Sequence, residues 1–127
     1  MVEAPKRLKY RRQFLHVARK GQKYATPGLV LQARKRSQLD LEIGKDEIRV
    51  GYTVSRKVGK AVLRNRARRR LRAATEIVLK EHGLGGYDYV VIGRTQTPNR
   101  EFGALIEDLD FALKKLGIWK DKPQKGQ

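Results

Sequence analysis

The stretch SRKVGKAVLRNRARRRLR, Ser55 to Arg72, carries nine of the chain's 30 basic residues and no acidic one. Placed on a helix at about 100° per residue, it divides into two sides. Leu63, Ala67 and Leu71, continued by Ala74 and Val78, follow an i, i+4, i+8 drift and form an apolar stripe that faces a core. Asn65, Arg68, Arg69 and Arg72 cover the opposite side, with Arg64 and Arg66 on its flanks. Such a helix is anchored by the first side and offers cations on the second. Arg outnumbers Lys here. Its planar fork pairs bidentately with phosphate and stacks on bases, which favours nucleic-acid contact over simple solubility. No carboxylate within the stretch neutralises that side at i±4. The spacing predicts a helix from about Gly59 to His82 with Gly83 as its left-handed stop, and an outer face that binds RNA or DNA.

Outward from this helix the chain alternates strands and helices. Ile48, Val50, Tyr52 and Val54 alternate with Arg49, Gly51, Thr53 and Ser55, a strand that feeds directly into the basic helix. After a Gly85-Gly86 turn, Tyr87 to Gly93 (YDYVVIG) reads as a nearly all-apolar strand suited to a central position. Upstream, Lys23 to Thr26 and Leu29 to Arg36 are two strands broken by Pro27-Gly28. Ser37 to Glu47 is a connection with a turn at Gly44-Lys45-Asp46. A short helix is expected from Arg11 to Lys20, with Phe14, Val17 and Ala18 on one side, Leu8 as a staple and Gly21 as its C′ residue. No Ser, Thr, Asp or Asn caps its start, so its first turn is expected to fray. Thr97 with Pro98 at the first helical position, or alternatively Asn99, starts a last helix through Phe102, Leu105, Leu109, Ala112, Leu113 and Leu116, ended by Gly117. The order α-β-β-β-α-β-α gives an α+β sandwich around one mixed four-stranded sheet. Residues 1–9 form a basic arm, 10–118 a single RNA-binding domain, and 119–127 a polar tail expected to be disordered. Lys6, Arg7, Lys9, Arg11 and Arg12 either clamp phosphates or are simply solvated.

Composition bounds the function. At 127 residues there is one domain with one modest core. The formal net charge of +17 far exceeds the roughly 2–8 that solubility asks of a small domain, and such self-repulsion makes sense only with an anionic partner. No apolar run approaches the ~18 residues of a spanning helix, and the N-terminus lacks the apolar segment of a secretory signal, so a cytoplasmic protein with no membrane partner is expected. The absence of cysteine removes disulfides, thiolate nucleophiles and cysteine-containing zinc sites.

Protein-borne chemistry finds little support. His16 and His82 fall on different helices, and His82 at a helix end complements the dipole. Asp40, Glu42, Asp46 and Glu47 lie in a connection, and Asp88 opens a strand alone, so no two-metal cluster forms. Glu107, Asp108 and Asp110 read as solvated charge on the last helix. The pieces GLGG and VGK lack phosphate-loop or dinucleotide spacing. Neither catalytic nor metal-ligating residues are therefore expected. No second helix lies a short turn from the basic one, which disfavours a helix-turn-helix DNA reader. Small alanines and the absence of Trp or Phe on the apolar side disfavour a membrane-surface helix. A ribosomal or other structural RNA-binding protein fits composition nearly as well as any other reading.

The block GKAVLRNRARRRLR, preceded by VSRK, closely resembles the signature of the protein subunit of bacterial ribonuclease P, roughly V-S-[KR]-K-x-G-x-A-V-x-R-N-R-x-[KR]-R-x-x-R, residue for residue from Val54 to Arg72. The resemblance implies the same α+β fold, with a left-handed strand–helix–strand crossover around the basic helix, where general rules favour the other hand. It implies a ribonucleoprotein endoribonuclease in which the RNA subunit, with magnesium bound mainly by that RNA, removes the 5′ leader of precursor tRNA. The protein would bind the catalytic RNA and the leader, and no obligate protein partner is implied. Carried over, Arg64, Asn65, Arg66, Arg68, Arg69 and Arg72 would dock on the RNA, with Arg56, Lys57 and Lys60 extending that surface. The family holds the leader in a cleft between the first helix and the sheet, commonly lined with aromatic residues. Phe14 matches, and ordinary core packing accounts for it equally well. Ala18 and Gln32 stand where aromatic residues are frequent, so the cleft would grip by stacking less and by charge more, through Lys9, Arg11, Arg34 and Arg36.

Overall fold

The structure, a computed structural model, describes residues 5–37 and 46–121. The expected turn at Gly44-Lys45-Asp46, for all but Asp46, and the carboxylates Asp40 and Glu42 lie outside the described residues.

Among the described residues five strands and three helices follow one another as β1 (Lys6–Arg7), α1 (Arg11–Lys20), β2 (Gln22–Ala25), β3 (Leu29–Lys35), β4 (Arg49–Thr53), α2 (Ala61–His82), β5 (Tyr87–Gly93) and α3 (Phe102–Lys115). The strands form one mixed sheet in the order β1-β4-β5-β3-β2, with β1 and β5 parallel to β4, and β3 antiparallel to β5 and β2. The nearly all-apolar β5 sits in the middle, as its composition requires. Alternation sorts the two faces. Leu29, Leu31 and Ala33 of β3, Val50 of β4 and Tyr89 and Val91 of β5 are buried in one core with Ala67, Leu71, Ala74 and Val78 of α2 and Leu105, Leu109 and Leu113 of α3. On the other face Val90 and Ile92 pack with Leu8 and with Phe14 and Val17 of α1.

The fifth strand corrects the expectation of four. Lys6 N donates to Ile48 O at 2.8 Å and Leu8 N to Val50 O at 3.0 Å, which draws the basic N-terminal segment onto the free edge of β4. Two exposed cations show no period-2 burial, so only Leu8, buried beneath them, betrays the pairing. No Ser, Thr, Asp or Asn caps α1, as expected, but Gln13 in its first turn accepts from Lys9 N at 2.7 Å and from Tyr10 N at 2.9 Å and so ties the entering chain to the helix.

Three glycines act differently from their expected roles. Gly21 (φ −93°) and Gly83 (φ −74°) are not left-handed. They fill places with no room for a side chain, since a Cβ would lie 2.4 Å from Ala33 O at Gly21 and 2.7 Å from Leu79 O at Gly83. The positive φ falls instead at Gly59 (140°), between a 3-10 turn at Arg56–Val58 and the start of α2 at Ala61, two residues later than expected. Gly117 (φ 72°) does end α3 as expected, with Gly117 N donating to Lys114 O and Ile118 N to Leu113 O.

The start of α3 moves from Thr97 or Asn99 to Phe102. Thr97 Oγ1 is occupied elsewhere, accepting from Arg94 N and donating to Gly28 O, both at 2.7 Å, which pins the 94–101 turn to the β2–β3 hairpin. Residues 119–121 are docked rather than part of a disordered tail. The Trp119 ring stacks on His82 at 3.5 Å, Lys120 N donates to His82 O, and His82 Nδ1 donates to Lys120 O at 2.8 Å. His82 therefore fixes Trp119 and Lys120 as well as complementing the carbonyl end of α2.

Candidate nucleic-acid interface

The predicted stripe is the buried side of α2: Ala67, Leu71 and Ala74 are fully buried and Val78 nearly so, with Leu63 half-buried against Gly59. That packing fixes the rotation of the helix and so aims everything else. Asn65, Arg66 and Arg69 are exposed, and Arg64, Arg68 and Arg72 line the margins half-buried. Arg68 Nη1 donates to Asn65 Oδ1 at 3.2 Å, orienting both side chains along the surface. The Arg72 guanidinium lies 6.0 Å from the centre of the Tyr52 ring, within cation–π range. Burial pushes the Tyr52 hydroxyl up to about 12, so this ring stays neutral beneath the cation at any physiological pH. Arg56, Lys57 and Lys60 are exposed on the 3-10 turn and at the cap of α2, continuing the cationic surface past the helix.

Among the described residues no carboxylate lies within ion-pair distance of Arg56, Arg64, Arg66, Arg68, Arg69 or Arg72. The Nε atoms of Arg64 and Arg72 are buried without a hydrogen-bond partner among those residues. Arg70 differs from its neighbours. Its Nε donates to Thr97 O at 3.2 Å and its Nη2 to Arg100 O, so it braces the 94–101 turn against α2. At about 100° per residue Arg70 and Arg64 lie equally far, roughly 60°, from Ala67 on either side, so periodicity alone does not separate the bracing arginine from the binding ones.

On the opposite face of the sheet, the Phe14 ring lies over Gly51, where an added Cβ would sit 2.4 Å from Phe14 Cε1. Strand register sets Gln32, Val90 and Gly51 in one row on that face. Phe14 and Gln32 thus border the same strip between α1 and the sheet. Ala18 is exposed one turn further along α1, and Arg11 and Lys9 are exposed at its start.

Arg34 and Arg36 are placed otherwise. The carboxylate of Asp88, 1% exposed, accepts from Arg36 Nη1 at 2.8 Å and from Arg49 Nε and Nη2 at 2.7 and 2.5 Å, and Arg34 Nη1 lies 3.9 Å away. Arg36 also donates to Tyr87 O and Glu47 O. Asp88 is therefore the hub of an arginine cluster and not an isolated acid. Register places Arg34 and Arg49 on its two sides, and no sequence signal short of the register reveals this. Asp108 is likewise buried and bidentate to Arg100, at 2.6 and 3.0 Å, rather than solvated on α3. Among the described residues no group of three or more His, Asp or Glu could hold a metal ion. His16 and His82 sit on helices at opposite faces of the sheet.

The chain is similar to known proteins over most of its length. The family model described as Ribonuclease P matches residues 2–117. The chain is 53% identical over 111 residues to the ribonuclease P protein component of Paramagnetospirillum magneticum, covering 87% of this chain and 82% of that one. To the corresponding component of Gluconacetobacter diazotrophicus it is 48% identical over 118 residues, covering 93% and 97%. Among solved structures, the RNase P protein of Staphylococcus aureus superposes with a TM-score of 0.71 at 26% identity, over 90% of this chain and 97% of that one. That of Thermotoga maritima superposes at 0.67 and 30% identity, over 87% and 94%.

Proposed function

The chain belongs to the ribonuclease P protein family, and from that premise we propose that it is the RNA-binding protein of a ribonucleoprotein that removes the 5′ leader of precursor tRNA. The observation that carries this reading is the outer face of α2. Several guanidinium groups stand on one rigid helix with no carboxylate of the described residues to neutralise them. Docked on a folded RNA, they neutralise phosphates and release counterions, while Asn65 hydrogen-bonds a base edge or a ribose hydroxyl. Arg56, Lys57, Lys60, Arg64, Asn65, Arg66, Arg68, Arg69 and Arg72 are the residues assigned to the catalytic RNA.

The leader lies along the strip beside α1, with Phe14 as its aromatic contact, Gln32 and Ala18 on its borders and Arg11 at its entrance. Arg34 shares its charge with Asp88 and holds the end of that strip rather than gripping phosphate directly. Bond cleavage belongs to the RNA, and magnesium in the assembly is held mainly by the RNA. The protein's buried carboxylates Asp88 and Asp108 are engaged by guanidinium groups and offer poor ligation to a divalent cation. The proposed site of action is the cytoplasm. No helix among the described residues is long and apolar enough to cross a membrane.

Reconstitution tests the reading. Purified protein is combined with the ribonuclease P RNA of the same cell at low magnesium, and cleavage of precursor tRNA at its mature 5′ end is scored. Cleavage is expected only with both components present. Cleavage by RNA-free protein, or co-purification with ribosomal RNA in place of one species of a few hundred nucleotides, would overturn it.

A further inference from the structure

We propose that the pocket at the end of the sheet where β2 begins and β3 ends takes one nucleotide of a single-stranded RNA. This rests on the RNA-binding reading above and adds a site to it. The pocket has a volume of about 210 Å³ and is bordered by Lys20 and Gln22, by Arg34 and Lys35, and by Tyr87 and Ile118. That volume is below the roughly 300–1,000 Å³ of sites for drug-sized ligands, so it suits a single ring and not an extended molecule. Three of the bordering residues are cations and none is a carboxylate, which fixes the sign of the ligand as anionic. Arg34 already faces Asp88, so the charge offered to a ligand comes from Lys20 and Lys35, both exposed. Tyr87 and Ile118 supply an aromatic wall and an apolar one, and Gln22 supplies an amide able to pair with a base edge. A planar ring joined to a phosphate satisfies all three requirements at once. Lys20, in the last turn of α1, is partly explained by the carbonyl end of that helix. Lys35 closes a strand and has no such explanation.

Position separates this pocket from the α2 surface. The first half of α2, with Arg64 to Arg72, starts where β4 ends. Because β4 and β5 are parallel, the start of β5, and with it Tyr87, lies at the other end of the sheet. Position also supplies a route. A strand lying along α1 past Phe14 and Ala18 continues, about 9 Å beyond Phe14, to Lys20 and the pocket.

The test is a titration of the isotope-labelled full-length protein with an eight-nucleotide oligouridylate, followed by NMR. The resonances of Lys35, Tyr87 and Ile118 are expected to shift and saturate together. The double variant Lys20→Ala/Lys35→Ala and, separately, Tyr87→Leu are expected to weaken the saturation at those resonances about tenfold, the scale of one lost stack or of two phosphate contacts. Dispersed spectra of the free variants verify their folding. The variant Arg68→Ala/Arg69→Ala/Arg72→Ala should retain the pocket shifts while losing affinity for the ribonuclease P RNA. Pocket resonances that stay fixed, or that move identically in all the variants, overturn the pocket while leaving the α2 reading standing. Unchanged affinity of the α2 variant for the ribonuclease P RNA would remove the α2 reading instead.

Discussion

Replacing Arg68, Arg69 and Arg72 together by Ala removes three guanidinium groups from the outer face of α2 while Ala67, Leu71 and Ala74 keep their buried contacts. The log of the RNA association constant falls with log salt by about 0.7–0.9 for each phosphate neutralised. Three lost contacts should therefore flatten that slope by about 2–3 units. Between 50 and 200 mM salt, a fourfold change, the variant's affinity should then fall roughly 20- to 40-fold less than that of the parent protein. Thermal unfolding should move little, because Arg69 is exposed and Arg68 bonds only to Asn65 among the described residues. Arg70→Ala is the internal control. Its fork is spent on Thr97 O and Arg100 O, so it should leave the salt slope unchanged and destabilise the fold by about 1–3 kcal/mol. The assay is filter binding or fluorescence anisotropy with the ribonuclease P RNA at four or more salt concentrations, beside thermal melts. An unchanged slope for the triple variant, or a flattened one for Arg70→Ala, would refute the division of the helix into a binding and a bracing side.

Other consequences concern stability. Leu71, fully buried at the centre of the core, should cost about 2–5 kcal/mol as Leu71→Ala in urea unfolding, with RNA binding retained by the folded fraction. Asp88→Asn leaves Arg34, Arg36 and Arg49 around a neutral amide and should cost about 3–5 kcal/mol, again by urea unfolding. Burial raises the hydroxyls of Tyr52 and Tyr89 from 10 to about 12. Their contribution to stability is thus complete below pH 10 and is lost as pH rises towards 12, so the urea midpoint should fall over that window and fall less steeply in Tyr89→Phe.

The readable parts of this fold were those in which one physical signal dominates. The drift of Leu63, Ala67, Leu71, Ala74 and Val78 located the buried side of α2, and the continuous apolar run of β5 placed that strand at the sheet's centre, because burial alone determines both. Less legible were features that depend on what a residue meets from elsewhere in the chain. Lys6 and Arg7 join the sheet through backbone groups that any sequence possesses. Thr97 resembles a helix cap but is claimed by Gly28, a partner 69 residues away in sequence. Gly83 reads in sequence as a left-handed stop and Gly21 as a C′ residue, whereas both are required by the close approach of backbone. In the candidate site, azimuth identified the outward-facing arginines, whereas the bracing role of Arg70 needed the 94–101 turn to be in place against α2. The fates of Arg34 and Arg36 needed the register that brings Asp88 between β3 and β4.

The most direct test of the central claim exploits the absence of cysteine from the chain. A single cysteine is introduced as Ala73→Cys, exposed on α2 beside the arginine face, or as Glu107→Cys, exposed on α3, and an iron chelate is tethered to it. Bound to the ribonuclease P RNA, the α2 probe should cut the RNA backbone strongly at a few clustered positions, and the α3 probe weakly or not at all. Strong clustered cutting from α3 with none from α2 would contradict the account, since it would place the RNA on the wrong side of the molecule.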